Sequence, residues 1–202
     1  MKPFGICILA LAGLLQGTGS IPATATNPDG GQVNKGIYQN TFFGLSYRLP
    51  EQLKVNTDEH KSASRAADSD NHHASSFILL NASEDTKEAK VKEGVMVIAD
   101  KADFYGGLRN GNDYLERLTS YYARQGSDVI HSSVECSYAG KQFFRGDYAR
   151  PGTTKIVYMS ALVTVRRGYA LSFIFTAGSR ERLEELVGTL QSIAFSGSDS
   201  AP

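Results

Sequence analysis

The sequence predicts an α+β domain, an antiparallel β-sheet covered by helices, and three observations carry that expectation. Four β-type segments follow one another from Val129 to Thr176 across short turns, with Arg167-Gly168 the tightest hairpin signal in the chain. Two segments with helical apolar spacing flank those strands, and their apolar stripes need a sheet to cover. The hydrophobic fraction of 41% is ordinary for a globular protein and excludes wholesale disorder.

The chain opens with Lys2, an apolar run from Phe4 to Leu15, and small residues ending in Ala23-Thr24-Ala25. A positive start, an apolar run too short to cross a bilayer and an A-x-A-like end are the marks of a secretory signal peptide, here residues 1–25. The mature chain is then expected to be secreted or periplasmic, with no transmembrane segment once the signal is removed. Cys7 leaves with the signal and lacks a lipid-attachment context, so no lipid anchor is expected. Basic and acidic side chains number 21 each, and loss of Lys2 leaves the remainder close to neutral. Such a chain has no electrostatic footprint for nucleic acid.

Residues 26–36, rich in Gly, Asn and Asp, read as a flexible linker, and residues 37–195 as one domain. Ile37 to Asn40 and Gly44 to Leu49 are two short strands around a Phe-Phe-Gly turn, closed by Pro50, which cannot donate to a ladder. A third short strand is expected at Leu53 to Val55. Thr57 to Ala74 has no apolar periodicity and reads as a long exposed loop. Ser75 to Leu80 and Val95 to Ala99 are strands, the second central, while the charged stretch Glu84 to Lys92 is compatible with a helix.

Asp113 to Gln125 is the first helix, with Tyr114, Leu115, Leu118, Tyr121 and Tyr122 on one face. Asp113 and Glu116 fit a capping box, and Gly126 a left-handed stop. The strands that follow are Val129 to Tyr138, Lys141 to Arg150, Lys155 to Arg166 and Tyr169 to Thr176. In the first of them Cys136 alternates with Ile130, Val134 and Tyr138, which reads as a buried, inert thiol. In the last two, Ile156, Leu162 and Ile174 oppose the main apolar faces, so both sides of that hairpin are expected to be covered. Ser179 caps a final helix that buries Leu183, Leu186, Val187 and Leu190. Ile193 to Phe195 dock its end, and residues 196–202 form a fraying tail.

This order resembles the PsbP-like superfamily, which comprises photosystem II extrinsic proteins and DcrB-like bacterial envelope proteins. The resemblance rests on Tyr38 to Pro50 (YQNTFFGLSYRLP) and on Arg167 to Phe173 (RGYALSF) through Ala177, helix and Ser192 to Phe195. Family members place a Trp a few residues after the Pro; Leu53 stands in that neighbourhood here, and the chain has no Trp. The resemblance implies an α/β/α sandwich and a mostly non-enzymatic accessory role beside larger assemblies.

Candidate chemistry is sparse. Asp58, His60, Asp68, Asp70, His72 and His73 form the densest set of potential metal ligands, but the Ser, Ala and Asn between them offer no second shell to pin a site. The glycine-rich run before the first helix matches neither a P-loop nor a dinucleotide fingerprint, and an Asp113 cap would repel phosphate. His131, Ser133 and Glu135 share a strand face, yet no nucleophile elbow occurs. No catalytic motif and no cofactor motif is present, so the chain reads as a non-enzyme. Phe104, Tyr105, Arg109, Tyr114, Tyr121 and Tyr122 are the candidate docking residues, because Tyr serves interfaces with both its ring and its hydroxyl. The expected function is a non-catalytic binding module for another envelope or secreted protein. The alternatives are a metal-dependent hydrolase using His72, His73 or His131, and a small-ligand or lipid carrier with a pocket lined by Leu118, Phe173 and Phe175.

Overall fold

A computed structural model describes residues 27–56, 76–85, 91–152 and 155–197. Eleven strands and two α-helices appear among them. Strands β1 (Gln32–Asn34), β2 (Ile37–Asn40) and β3 (Leu45–Arg48) join β11 (Ala194–Phe195) in a small antiparallel sheet ordered β1-β2-β3-β11. The large sheet contains β4 (Leu53–Val55), β5 (Ser76–Glu84), β6 (Gly94–Lys101) and β7 (Asp128–Tyr138). It is completed by β8 (Lys141–Pro151), β9 (Ile156–Arg166) and β10 (Tyr169–Ala177). Its order is β4-β5-β6-β10-β9-β8-β7, antiparallel throughout. The helices are α1 (Gly111–Arg124) and α2 (Arg180–Gly188).

Each face of the large sheet carries its own apolar cluster. Phe43, Tyr47, Phe143, Phe173 and Phe175 are fully buried on one face, with Leu186 of α2. Tyr114 and Leu115 of α1 meet Tyr148, Met159, Ala161 and Val163 on the other. Alternation along β9 and β10 distributes side chains between the two clusters, as a sheet covered on both sides requires. Helix α1 packs on β7, β8 and β9, and α2 on β9 and β10. The helices do not cover the sheet alone, because the small sheet supplies Phe43, Leu45 and Tyr47 to the α2 side.

Several expectations change. Order begins before Ile37: β1 pairs with β2 from Gln32↔Gln39 to Asn34↔Ile37, and Asn40 Nδ2 donates to the Pro28 carbonyl at 2.7 Å. Leu162 is buried and Ile174 packs against the α1-side cluster, but Ile156 is 51% exposed at the start of its strand. Cys136 is only half-buried, since β7 is an edge strand in which no position is fully buried; partial burial still raises its thiol pKa. Helix α1 starts at Gly111 and is capped by Asn110, whose Oδ1 accepts from Asn112 N and Asp113 N. The Gly126 stop (φ 79°) and the Ser179 cap, which accepts from Arg182 N, form as expected. Leu53, where the resemblance expects a Trp nearby, is buried in the main core. Residues 1–26, 57–75, 86–90, 153–154 and 198–202 lie outside the described residues, and with them the expected signal peptide, the expected long loop and most of the helix-compatible stretch and of the expected tail.

Candidate functional site

Strand β6 ends in a 3₁₀ turn, Ala102–Tyr105, which leads through Gly106 and Gly107 (φ 76° and 83°) toward α1. The left-handed glycines reverse the chain at no steric cost. At the start of α1, Gly111 lies so close to β9 that a Cβ there would meet the Val163 carbonyl at 2.4 Å. That close approach seats α1 on the sheet and sets which of its side chains turn outward.

Three contacts hold the turn against the helix. The Tyr105 and Tyr114 rings meet edge to face at 5.4 Å, a favoured aromatic geometry. Arg117 donates to the Tyr105 carbonyl at 3.0 Å, and its guanidinium lies 5.8 Å from the centre of the Tyr105 ring. Tyr114 donates its hydroxyl to Asp100, which is buried in β6. Burial and the neighbouring Asp100 charge raise the Tyr114 phenol pKa, so the hydroxyl stays protonated and remains a donor.

The six candidate docking residues therefore divide. Phe104 is 66% exposed and Tyr121 49%, so both present apolar surface. Tyr105 is half-buried beneath Phe104, while Tyr114 is buried and acts as the support of the face. Tyr122 turns inward onto Tyr148 at 4.8 Å, and burial pushes its phenol up to about 12. Arg109 is exposed but engaged, giving its backbone N–H and two guanidinium N–H groups to Asp113. A groove of about 300 Å³ runs along the face, lined by Tyr105, Tyr114, Arg117, Leu118, Tyr121 and Arg124. Arg117 and Arg124 were absent from the sequence-level candidates. Their spacing from Tyr121 on one helix was the available signal.

The His131 neighbourhood differs from its sequence reading. Register shifts between Val129 and Val134 place His131 opposite Asp147 rather than leaving it beside Ser133 and Glu135. His131 Nδ1 lies 3.1 Å from Asp147 Oδ2, while Asp147 Oδ1 accepts from Arg145 Nε at 2.8 Å and from Ser160. Glu135 instead accepts from Gln142 at 2.8 Å. Ser160 and His131 use different oxygens of one carboxylate, so the serine donates to the acid and not to the imidazole. That is not the nucleophile–base contact of covalent catalysis. Arg145 continues to Glu184 on α2, tying that helix to the outer strands.

Burial alone would raise the Asp147 pKa, but hydrogen bonds from Ser160 and Arg145, with the Arg145 charge, hold it below the ordinary carboxylate value. A depressed folded-state pKa adds stability above the unfolded value of about 4, and that stability is lost as pH falls through the folded one. Urea unfolding of Asp147→Asn should accordingly show a lower midpoint than the parent at pH 7. The two should converge as pH falls below about 4.

Among the described residues, no group of three or more His, Cys, Asp or Glu is placed to hold a metal ion. His60, Asp68, Asp70, His72 and His73 lie outside them. Leu118 packs on the α1 side of the sheet and Phe173 and Phe175 on the α2 side, so these three residues do not line one cavity. No helix among the described residues is long and apolar enough to cross a membrane.

No protein-family model and no curated protein sequence matches the chain. Among solved structures, cyanobacterial PsbP (CyanoP) from Synechocystis is similar, with a TM-score of 0.52 and 16% identity. That similarity covers 91% of this chain and 100% of the Synechocystis protein. The Ran-binding protein Mog1p of Saccharomyces cerevisiae aligns over 74% of this chain and 86% of its own, with a TM-score of 0.36 and 9% identity. That likeness over the full length of the Synechocystis protein gives the chain a PsbP-like fold.

Proposed function

We infer that the chain is a non-catalytic accessory module, exported by its N-terminal signal segment, which docks another protein through the face formed by the 3₁₀ turn and α1. The observation that carries this reading is the pairing of exposed rings with a rigid support. Phe104 and Tyr121 stand in solvent, while Tyr105, Tyr114 and Arg117 hold the turn against the helix. Aromatic rings held rigid before binding lose little entropy on docking, and for that reason they anchor interfaces. The layering, with α1 on one side of the large sheet and α2 with the small sheet on the other, we read as the α/β/α arrangement of the fold. Among the described residues it leaves the α1 side free of a second sheet. Lack of a nucleophile–base contact around His131 further favours docking over hydrolysis.

The test is native mass spectrometry of the protein isolated gently from its source envelope, with the Phe104→Asp/Tyr121→Asp double variant beside it. Both positions are exposed, so the variant should keep its stability within about 0.5 kcal/mol per site. The parent should appear in a discrete complex with one partner, with an intact mass consistent with cleavage after Ala25, and the variant as a monomer. A parent monomer carrying a stoichiometric metal or small molecule would overturn the docking reading.

A further inference from the structure

We propose that the partner segment received by this face is an acidic peptide stretch with an apolar or aromatic anchor, laid along α1 between Arg117 and Arg124. The proposal rests on the docking reading above and specifies the chemistry of its partner. Residues 117, 121 and 124 are spaced by four and three, so Arg117, Tyr121 and Arg124 form one stripe on the helix. Among the described residues, the groove beside them is lined by two guanidinium groups, three tyrosines and a leucine, with no carboxylate.

The neighbouring acids have partners of their own, although Asp113 also feels the Arg117 charge and Asp100, bonded to the Tyr114 hydroxyl, also acts on Tyr105. Asp113 receives three hydrogen bonds from Arg109, and Glu116 accepts from Asn112 Nδ2 at 2.8 Å. Both line the adjacent groove of about 470 Å³ on the other flank of Arg117, where charge is mixed. Asp103 is exposed in the 3₁₀ turn, and its charge is felt by Tyr169. The chain as a whole carries equal numbers of basic and acidic residues. A groove whose charged lining among the described residues is two arginines on aromatic ground is thus a local feature and not the product of a basic protein.

Arg117 is oriented by the Tyr105 carbonyl and ring, and its planar fork has further N–H donors suited to a carboxylate. Two cations alone would hold an anionic bilayer or a polynucleotide weakly, because both rely on many contacts. Two cations flanking an exposed ring instead suit a short peptide, whose anchor packs on Tyr121 while its carboxylates meet the arginines.

Short random peptides displayed on phage and selected against the full chain test this directly. Synthetic copies of the enriched peptides are then measured by fluorescence anisotropy at low and high salt. Enriched peptides should be acidic and carry an aromatic or aliphatic residue, and salt should weaken their binding. Affinity should fall about tenfold or more in Arg117→Glu/Arg124→Glu and return for a peptide with lysine in place of its acids. Tyr121→Ala should weaken binding about tenfold with little change in salt dependence.

Enrichment of basic or uncharged peptides, or of acidic peptides that bind the double arginine variant unchanged, would overturn the proposal. So would binding to phosphatidylglycerol vesicles without peptide binding. Native mass spectrometry separates this failure from failure of the docking reading. A partner complex lost in Phe104→Asp/Tyr121→Asp but kept in Arg117→Glu/Arg124→Glu leaves docking standing and removes the acidic partner. A complex kept in both variants removes docking through this face and the acidic-peptide proposal with it.

Discussion

Replacing Arg166 with methionine should destabilise the protein by about 3 kcal/mol, because the buried Phe43 carbonyl and two partly exposed carbonyls after β11 would lose a charged donor together. Arg166 is 2% exposed at the end of β9. Its Nε donates to the Phe43 carbonyl, and a terminal nitrogen donates to the carbonyls of Ser196 and Gly197. Its guanidinium also lies 5.0 Å from the centre of the Phe195 ring. One side chain therefore ties the turn between β2 and β3, and the end of β11, to the large sheet. Methionine fills much of the volume and removes the cost of desolvating a charge, but the carbonyls stay behind without that donor. Thermal unfolding should show the midpoint falling by roughly 6–12 °C for a chain of this size. Arg166→Lys should fall between parent and methionine, since one ammonium cannot reproduce a planar fork. A methionine variant as stable as the parent would show that the small sheet is held by its apolar contacts alone.

Removal of the Tyr114 hydroxyl is the second large effect, and it bears on the docking face. Tyr114→Phe keeps the ring against Tyr105 but deprives buried Asp100 of its hydroxyl donor, at a cost of about 2 kcal/mol. Tyr114→Ala removes the ring as well and should cost about 4 kcal/mol. The two variants should also differ in local behaviour. With the ring present, Tyr105 and Phe104 keep their support; without it, the 3₁₀ turn loses its packing on α1. The chain contains no Trp, so Phe104→Trp in each background provides a single fluorescent reporter. Its anisotropy should match the parent background in Tyr114→Phe and fall in Tyr114→Ala. Equal mobility in both would show that Arg117 and the Tyr105 carbonyl hold the turn without the ring.

The legible parts of the fold were those that local chemistry governs. Alternation marked strands β2, β3 and β6 to β10 to within a residue or two, and Arg167-Gly168 did form the β9–β10 turn. Ser179 capped α2 because its side-chain acceptor serves an N–H only three residues away. Where two local solutions competed, the sequence did not decide. Asn110 and Asp113 are both good caps, and Arg109 settled the choice by taking the Asp113 carboxylate. Strand β1 was missed because Gln32–Asn34 has little apolar signal and depends on its backbone pairing with β2.

The docking face shows the same division at the level of function. Aromatic content between Phe104 and Tyr122 is a property of the sequence, and so is the placing of Arg117, Tyr121 and Arg124 on one helical stripe. Which rings face water was decided by the sheet beneath. Asp100 lies on β6 and draws Tyr114 inward, Tyr148 on β8 draws Tyr122, and Phe104 and Tyr121 are left outside. The register shifts of β7 likewise set His131 against Asp147, a partner 16 residues away that regular alternation would not select. Period and capping depend on neighbours a few residues apart, so the sequence by itself determined the helices, most strands and the near-neutral charge. Burial, ion-pair partners and exposed rings depend on residues brought together from distant strands, and those only the tertiary structure decided.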